Sequence, residues 1–109
     1  MSKASSIYRV DKFIVPAGAR DEFLARILDT HQILRRQPGF VQDSVLEQTG
    51  GPGQYNIVTI AQWQSQAAID AAKIVVQAEH AKNGFNPQQT MAQLGVQADI
   101  ANYAVVSTA

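Results

Sequence analysis

A chain of 109 residues with nine basic and nine acidic side chains, 17% charged residues and no cysteine excludes several classes at once. Disulfides, thiolate catalysis and thiolate metal ligands are ruled out, and a neutral balance without a basic stripe argues against nucleic acid as a partner. No stretch approaches the roughly 18 consecutive apolar residues of a membrane span, and the opening MSKASSIYRV has no apolar run for a signal peptide, so the expectation is a cytoplasmic protein with no membrane partner.

The length predicts a single domain over residues 1–109. A core of that size leaves little room for a deep cavity and gains from a partner subunit. Residues 1–5 are small and polar and are expected to fray. Residues 7–15 form a first strand: Ile7, Arg9, Asp11, Phe13 and Val15 share one face, and Tyr8, Val10, Lys12 and Ile14 the other. Charged side chains on both faces require solvent, a pocket or a second chain beside them. Pro16-Ala17-Gly18 turns into a helix over residues 19–36, with Phe23, Leu24, Ile27, Leu28, His31 and Leu34 as its apolar stripe. Asp21 and Glu22 near its start and Arg35 and Arg36 near its end suit the helix dipole, and Pro38-Gly39 stops it.

Residues 40–48 read as a second strand. The glycine-rich turn at 49–53 leads to a third, so these two form an antiparallel hairpin. The chain is organised around residues 54–76, the third strand and the start of a second helix. Tyr55, Ile57, Thr59, Ala61 and Trp63 alternate onto one face. Val58 and Ile60 make the opposite face apolar as well, which predicts cover on both sides. Ser65 is an N-cap for the second helix, whose stripe is Ile69, Ala72, Val76 and His80, flanked by Ala68 and Val75, and Lys82-Asn83-Gly84 ends it. Within residues 85–97, Pro87 is able to open a short helix carrying Met91 and Leu94, with Gly95 as its stop. Residues 100–106 are a fourth strand, rich in β-branched residues.

The order strand, helix, strand, strand, helix, strand is the α+β, ferredoxin-like βαββαβ arrangement: a four-stranded antiparallel sheet with two helices on one face. Val58 and Ile60 place a second subunit on the other face, in a homodimer whose sheets pack together.

Pro16-Ala17-Gly18 before an amphipathic helix, then Arg35-Arg36-Gln37-Pro38-Gly39-Phe40, a glycine turn and Ala61-Gln62-Trp63-Gln64-Ser65-Gln66-Ala67-Ala68-Ile69 resemble the antibiotic biosynthesis monooxygenase domain family over residues 7–80. The resemblance implies a dimeric α+β barrel. Its cofactor-independent, quinone-forming branch uses a tryptophan, an asparagine four residues earlier on the same strand, and a tyrosine in the following helix. Trp63 matches the first, and Thr59 and Ile69 stand at the other two. Haem-degrading relatives use an asparagine on the first strand, a helix tryptophan and a helix histidine as iron ligand. Asp11, Ala72 or a neighbour, and His80 stand there.

Four side chains carry candidate chemistry. The Trp63 indole is suited to stacking on a planar aromatic and donating its N–H; equally, it is a core residue tying the hairpin to the second helix. His80 is a candidate base or iron ligand, its plainer account being a frayed helix end beside Glu79 and Lys82. His31, one turn beyond Ile27, points toward the same cleft or snorkels at the core edge. Asp11, half buried beside Phe13, would have a raised pKa and take a proton from a phenol; a salt bridge to Arg9 is the simpler reading. Phe13, Phe23, Ile27, Thr59 and Ile69 are the expected substrate contacts. No phosphate loop, H-E-x-x-H motif or nucleophile elbow occurs, and no metal site is expected.

The expected function is that of an oxidoreductase: a cofactor-independent monooxygenase using dioxygen on a small planar phenol- or quinol-type aromatic. The alternatives are a haem-binding or haem-degrading protein using His80, and a non-enzymatic dimer that binds a small ligand.

Overall fold

The computed structural model describes residues 6–106, so the expected fraying at 1–5 lies outside the described residues. β1 (Ile7–Ile14) runs into a 3₁₀ turn at Ala17–Ala19 and then α1 (Arg20–Leu34). β2 (Phe40–Glu47) and β3 (Ile57–Trp63) follow, then α2 (Gln66–Lys82), α3 (Pro87–Leu94) and β4 (Gln97–Tyr103). The strands form one antiparallel sheet in the order β2-β3-β1-β4. This is the expected ferredoxin-like sheet, and the short helix at Pro87 stands beside the two longer ones.

Helices α2 and α3 start where side chains satisfy free amides. The Ser65 hydroxyl accepts from the Ala68 amide at 3.1 Å, and the Asn86 side chain accepts from Gln89 at 3.1 Å ahead of Pro87. Gly95, at φ 72°, ends α3 in the left-handed region and turns the chain toward β4. In α1 the buried line is Phe23, Ile27 and His31, spaced by four. Leu28, expected on this stripe, is 47% exposed: it lies one residue, about 100°, round the helix from Ile27. Val75 is likewise turned outward on α2, where Ile69 and Ala72 are the buried pair.

β4 begins at Gln97 and ends at Tyr103, not over residues 100–106. Its partner dictates this: Ile14 pairs with Gln97 and Tyr8 with Tyr103. Beyond Tyr103 no β1 backbone remains for the Val105–Val106 segment to bond. β3 similarly starts at Ile57 and leaves Tyr55 outside the strand. Asn56 instead acts as a clamp. Its side chain accepts from the Val15 amide and donates to the Val15 carbonyl, both at 2.8 Å. Its main chain bonds to Phe13 and Gln48.

β2 carries a bulge. Phe40 stands opposite Trp63 but Gln42 opposite Gln62, which leaves Val41 as an extra residue. Between sheet and helices the core divides in two. Phe13, Val15, Ala19, Phe23, Ile27 and Ile57 pack at one end. Ala61, Trp63, Ile69 and Ala72 pack at the other. The opposite sheet face carries Val10, Leu46, Val58, Ile60, Ala101 and Tyr103, of which Leu46 is 47% exposed.

Candidate functional site

The two cores are separated by a cleft. Its floor is the helix-facing side of the sheet: Arg9 and Asp11 of β1, Thr59, Ala61 and Trp63 of β3, and Ile100 of β4. Thr30, His31 and Leu34 of α1 form one wall, and Ile69, Ala72, Val76 and His80 of α2 another. Phe85, Pro87 and Met91 close a third side. The cavity measures about 750 Å³ and continues into a lobe of about 240 Å³ over Phe13, Phe23, Arg26 and Ile27. A chain of this length was expected to leave little such space. It arises because Ala61 and Ala72 put small side chains where sheet and α2 face each other, and because α3 extends the wall beyond them.

All four candidate side chains reach this space. Trp63 is 2% exposed, with its ring edge-on to Phe40 at 5.4 Å. It is part of the core and of the cavity lining together. Thr59 and Ile69 are buried beside it and line the cavity. Phe13 and Phe23 meet edge to face at 4.9 Å and, with Ile27, line the smaller lobe.

Asp11 accepts from the Arg9 side chain at 2.8 Å, the simpler of the two expectations for it. Its charge is compensated within the cleft. His80 lies in the last turn of α2, which runs to Lys82. Its Nε2 lies 3.1 Å from the Thr30 hydroxyl and its ring meets Phe85 edge-on at 4.9 Å. Burial lowers its pKa below the ordinary histidine value, so the ring is neutral at pH 7. The Arg26 guanidinium lies over the Phe85 ring, 5.0 Å from its centroid.

His31 is 6% exposed. Its Nδ1 lies 2.7 Å from Asp43 Oδ2, and Arg35 Nε approaches both oxygens of Asp43, at 3.2 and 3.1 Å. Burial by itself would raise the Asp43 pKa. The hydrogen bonds and charges of His31 and Arg35 outweigh it and hold the carboxyl below its ordinary value. Asp43, Thr30, Phe85 and Met91 were not singled out from the sequence as site residues. Asp43 stands opposite Ala61 on the helix-facing side of the sheet, a placement that regular alternation from Phe40 would not give.

Chemically, this is a largely apolar cleft with an indole in its floor, a neutral imidazole, a second imidazole tied to a carboxylate, and an internal ion pair. Such a set is able to hold a planar apolar molecule and accept a proton from it.

Residues 6–83 match the family model described as antibiotic biosynthesis monooxygenase. Among solved structures, SnoaB, a cofactor-independent oxygenase from Streptomyces nogalater, is similar with a TM-score of 0.70 and 26% identity, over 96% of this chain and 97% of that one. MhuD from Mycobacterium tuberculosis, a heme-degrader with two hemes bound in its active site, gives 0.69 and 23% over 94% and 98%. A conserved protein from Methanosarcina mazei Go1 gives 0.72 and 16% over 94% of each chain. The last two likenesses concern the fold alone. No curated protein matches the chain.

Proposed function

This chain belongs to the antibiotic biosynthesis monooxygenase family, and from that premise we propose that it is a cofactor-independent monooxygenase acting on a small planar aromatic of the phenol or quinol type. The observation that carries the reading is the convergence of Trp63, Asp11, His31 and His80 on one cleft of about 750 Å³. The 26% identity to the oxygenase SnoaB supports the same class.

In this reading the substrate lies between the floor at Thr59 and Trp63 and the wall at Ile69. The phenylalanines of the smaller lobe and Ile27 give its apolar side. Trp63 orients the ring. Asp11 or His31 takes the proton, leaving an electron-rich enolate or phenolate in a largely apolar cleft. The anion itself reduces dioxygen. For a ring CH₂, a C–O bond forms, the O–O bond of the hydroperoxide breaks, water leaves and a carbonyl remains. The four electrons lost by carbon are the four that dioxygen takes up. Two chains pack through the apolar sheet face.

Incubation with dihydroxynaphthalenes or anthrones under oxygen tests the reading. Substrate consumption well above the rate in buffer supports it; consumption at the buffer rate sinks it. Saturable binding without turnover would instead favour a non-enzymatic binder, which Thr59 and Ile69 also suit.

Haem is the second reading, because His80 lines the cavity. The fit is poor. The His80 Nε2 is engaged by Thr30, and Ala72 offers no large side chain to press on a macrocycle. Ligation through Nε2 would require the Thr30 contact to break. A Soret shift on haem titration that is lost in His80→Ala would revive this reading.

A further inference from the structure

Three titratable side chains line the cleft as candidate proton acceptors, and their partners distinguish them. Asp11 is bonded to Arg9, and its charge is neutralised where a substrate would meet it. His80 directs Nε2 at the Thr30 hydroxyl. His31 turns its Nδ1 away from the cleft, to the 9%-exposed side chain of Asp43 on β2.

We propose that Asp43 is a positioning residue that sets His31 as the proton acceptor of the cleft, with Arg35 fixing the carboxylate from the solvent side. The proposal rests on the monooxygenase reading and deepens it.

Donor chemistry fixes the direction of the contact between His31 and Asp43. A carboxylate only accepts, and Arg35 only donates. With Arg35 Nε on both oxygens of Asp43, the hydrogen of the 2.7 Å contact has to come from His31 Nδ1. The neutral ring then carries its lone pair on Nε2. No buried side-chain nitrogen or oxygen among the described residues lacks a partner. Nε2 has no partner among those residues, so it opens onto accessible space, and His31 lines both lobes of the cleft. When Nε2 takes a proton, the imidazolium forms against a carboxylate already in place, and no reorganisation is needed. Besides Asp43 from β2 and Arg35 on its own helix, the charged or titratable groups that line the two lobes with His31 are Arg26 from α1, Arg9 and Asp11 from β1, and Lys73 and His80 from α2.

The test has two arms. In the first, the full chain carries ¹⁵N-labelled histidine, and the protonated ring nitrogen of His31 is read by NMR at alkaline pH, with the ring neutral. The wild type is expected to hold the proton on Nδ1, and Asp43→Ala to lose that preference. A wild-type proton on Nε2, or an unchanged tautomer in a folded Asp43→Ala, overturns the proposal. The wild-type spectrum decides even if the variant does not fold.

In the second arm, turnover of an anthrone or dihydroxynaphthalene is measured. Asp43→Asn, close to isosteric, is expected to lower kcat by on the order of 10²–10⁴-fold with KM nearly constant, and Asp43→Glu to recover part of it. An unchanged kcat overturns the proposal. If the wild type turns over none of these substrates, the monooxygenase reading fails, while the tautomer still decides the role of Asp43.

Discussion

Gly39 and Ala68 pack so closely that a methyl group on the glycine would fall 2.5 Å from the Ala68 Cβ. Gly39 also has φ 84°, and its carbonyl accepts from the Gln64 amide at 2.8 Å. The turn after α1 thus sits directly under the start of α2. Gly39→Ala combines a left-handed backbone cost with overpacking, about 2–5 kcal/mol together. Gly51→Ala, at φ 92° with nothing within 4 Å, is the control and should cost only about 1 kcal/mol. Urea unfolding of the two variants checks the difference, and equal midpoints would refute it.

The burial of His80 gives stability a definite pH dependence. Its folded pKa lies below the ordinary 6.5, so the unfolded chain binds more protons between the two values. The stabilisation is complete above about pH 6.5 and is lost as pH falls through the folded value. Thermal unfolding between pH 5 and 8 should show this loss in the wild type, and a smaller loss in His80→Gln. Parallel curves would contradict it. Asp43 acts lower on the scale. Its folded pKa lies below the ordinary 3.8, so its contribution persists above about pH 3.8 and disappears only below that.

Trp63 has two roles that substitution can separate. Trp63→Ala removes a large buried ring and should cost about 3–5 kcal/mol. Trp63→Phe keeps most of the packing on Phe40 and Ala61 and should cost less, about 1.5 kcal/mol. In the proposed reaction it also loses the N–H and the wider ring that orient the substrate. Turnover by Trp63→Phe should therefore fall about 10-fold or more while the fold persists. Wild-type turnover in that variant would confine Trp63 to the core.

The apolar sheet face predicts self-association. Leu46 and Val58 stand opposite each other on β2 and β3, on the face away from the cleft. Leu46→Lys with Val58→Lys should convert a dimer into a monomer, read by sedimentation velocity, with histidine NMR shifts in the cleft unchanged. A wild type that sediments as a monomer rules out the proposed packing.

The sequence made the frame of the cleft legible, because its signals are local. The Ser65 hydroxyl, the spacing of Phe23, Ile27 and His31, and the Pro87 to Gly95 bracket each act within a few residues. Asp43 was hidden by a non-local feature. A regular strand counted from Phe40 puts residue 43 on the opposite face. The extra residue at Val41 reverses that parity and brings both Phe40 and Asp43 to the helix side. The limits of β4 were hidden for a related reason, since they depend on the length of β1 and not on β-branched composition. The size of the cavity depends on the meeting of Ala61 and Ala72, which lie on different elements.

Asn56 fastens the end of β1 to the start of β3 through both its side chain and its main chain. Residues 49–55 therefore lie outside a closed knot of hydrogen bonds, and the register of β3 does not depend on their length. This makes the loop the place where the chain can be opened. New termini or an inserted tag between Gly50 and Gly51, both with open space around them, should leave the distant cleft intact, whereas the same insertion after Asn56 would unfasten it.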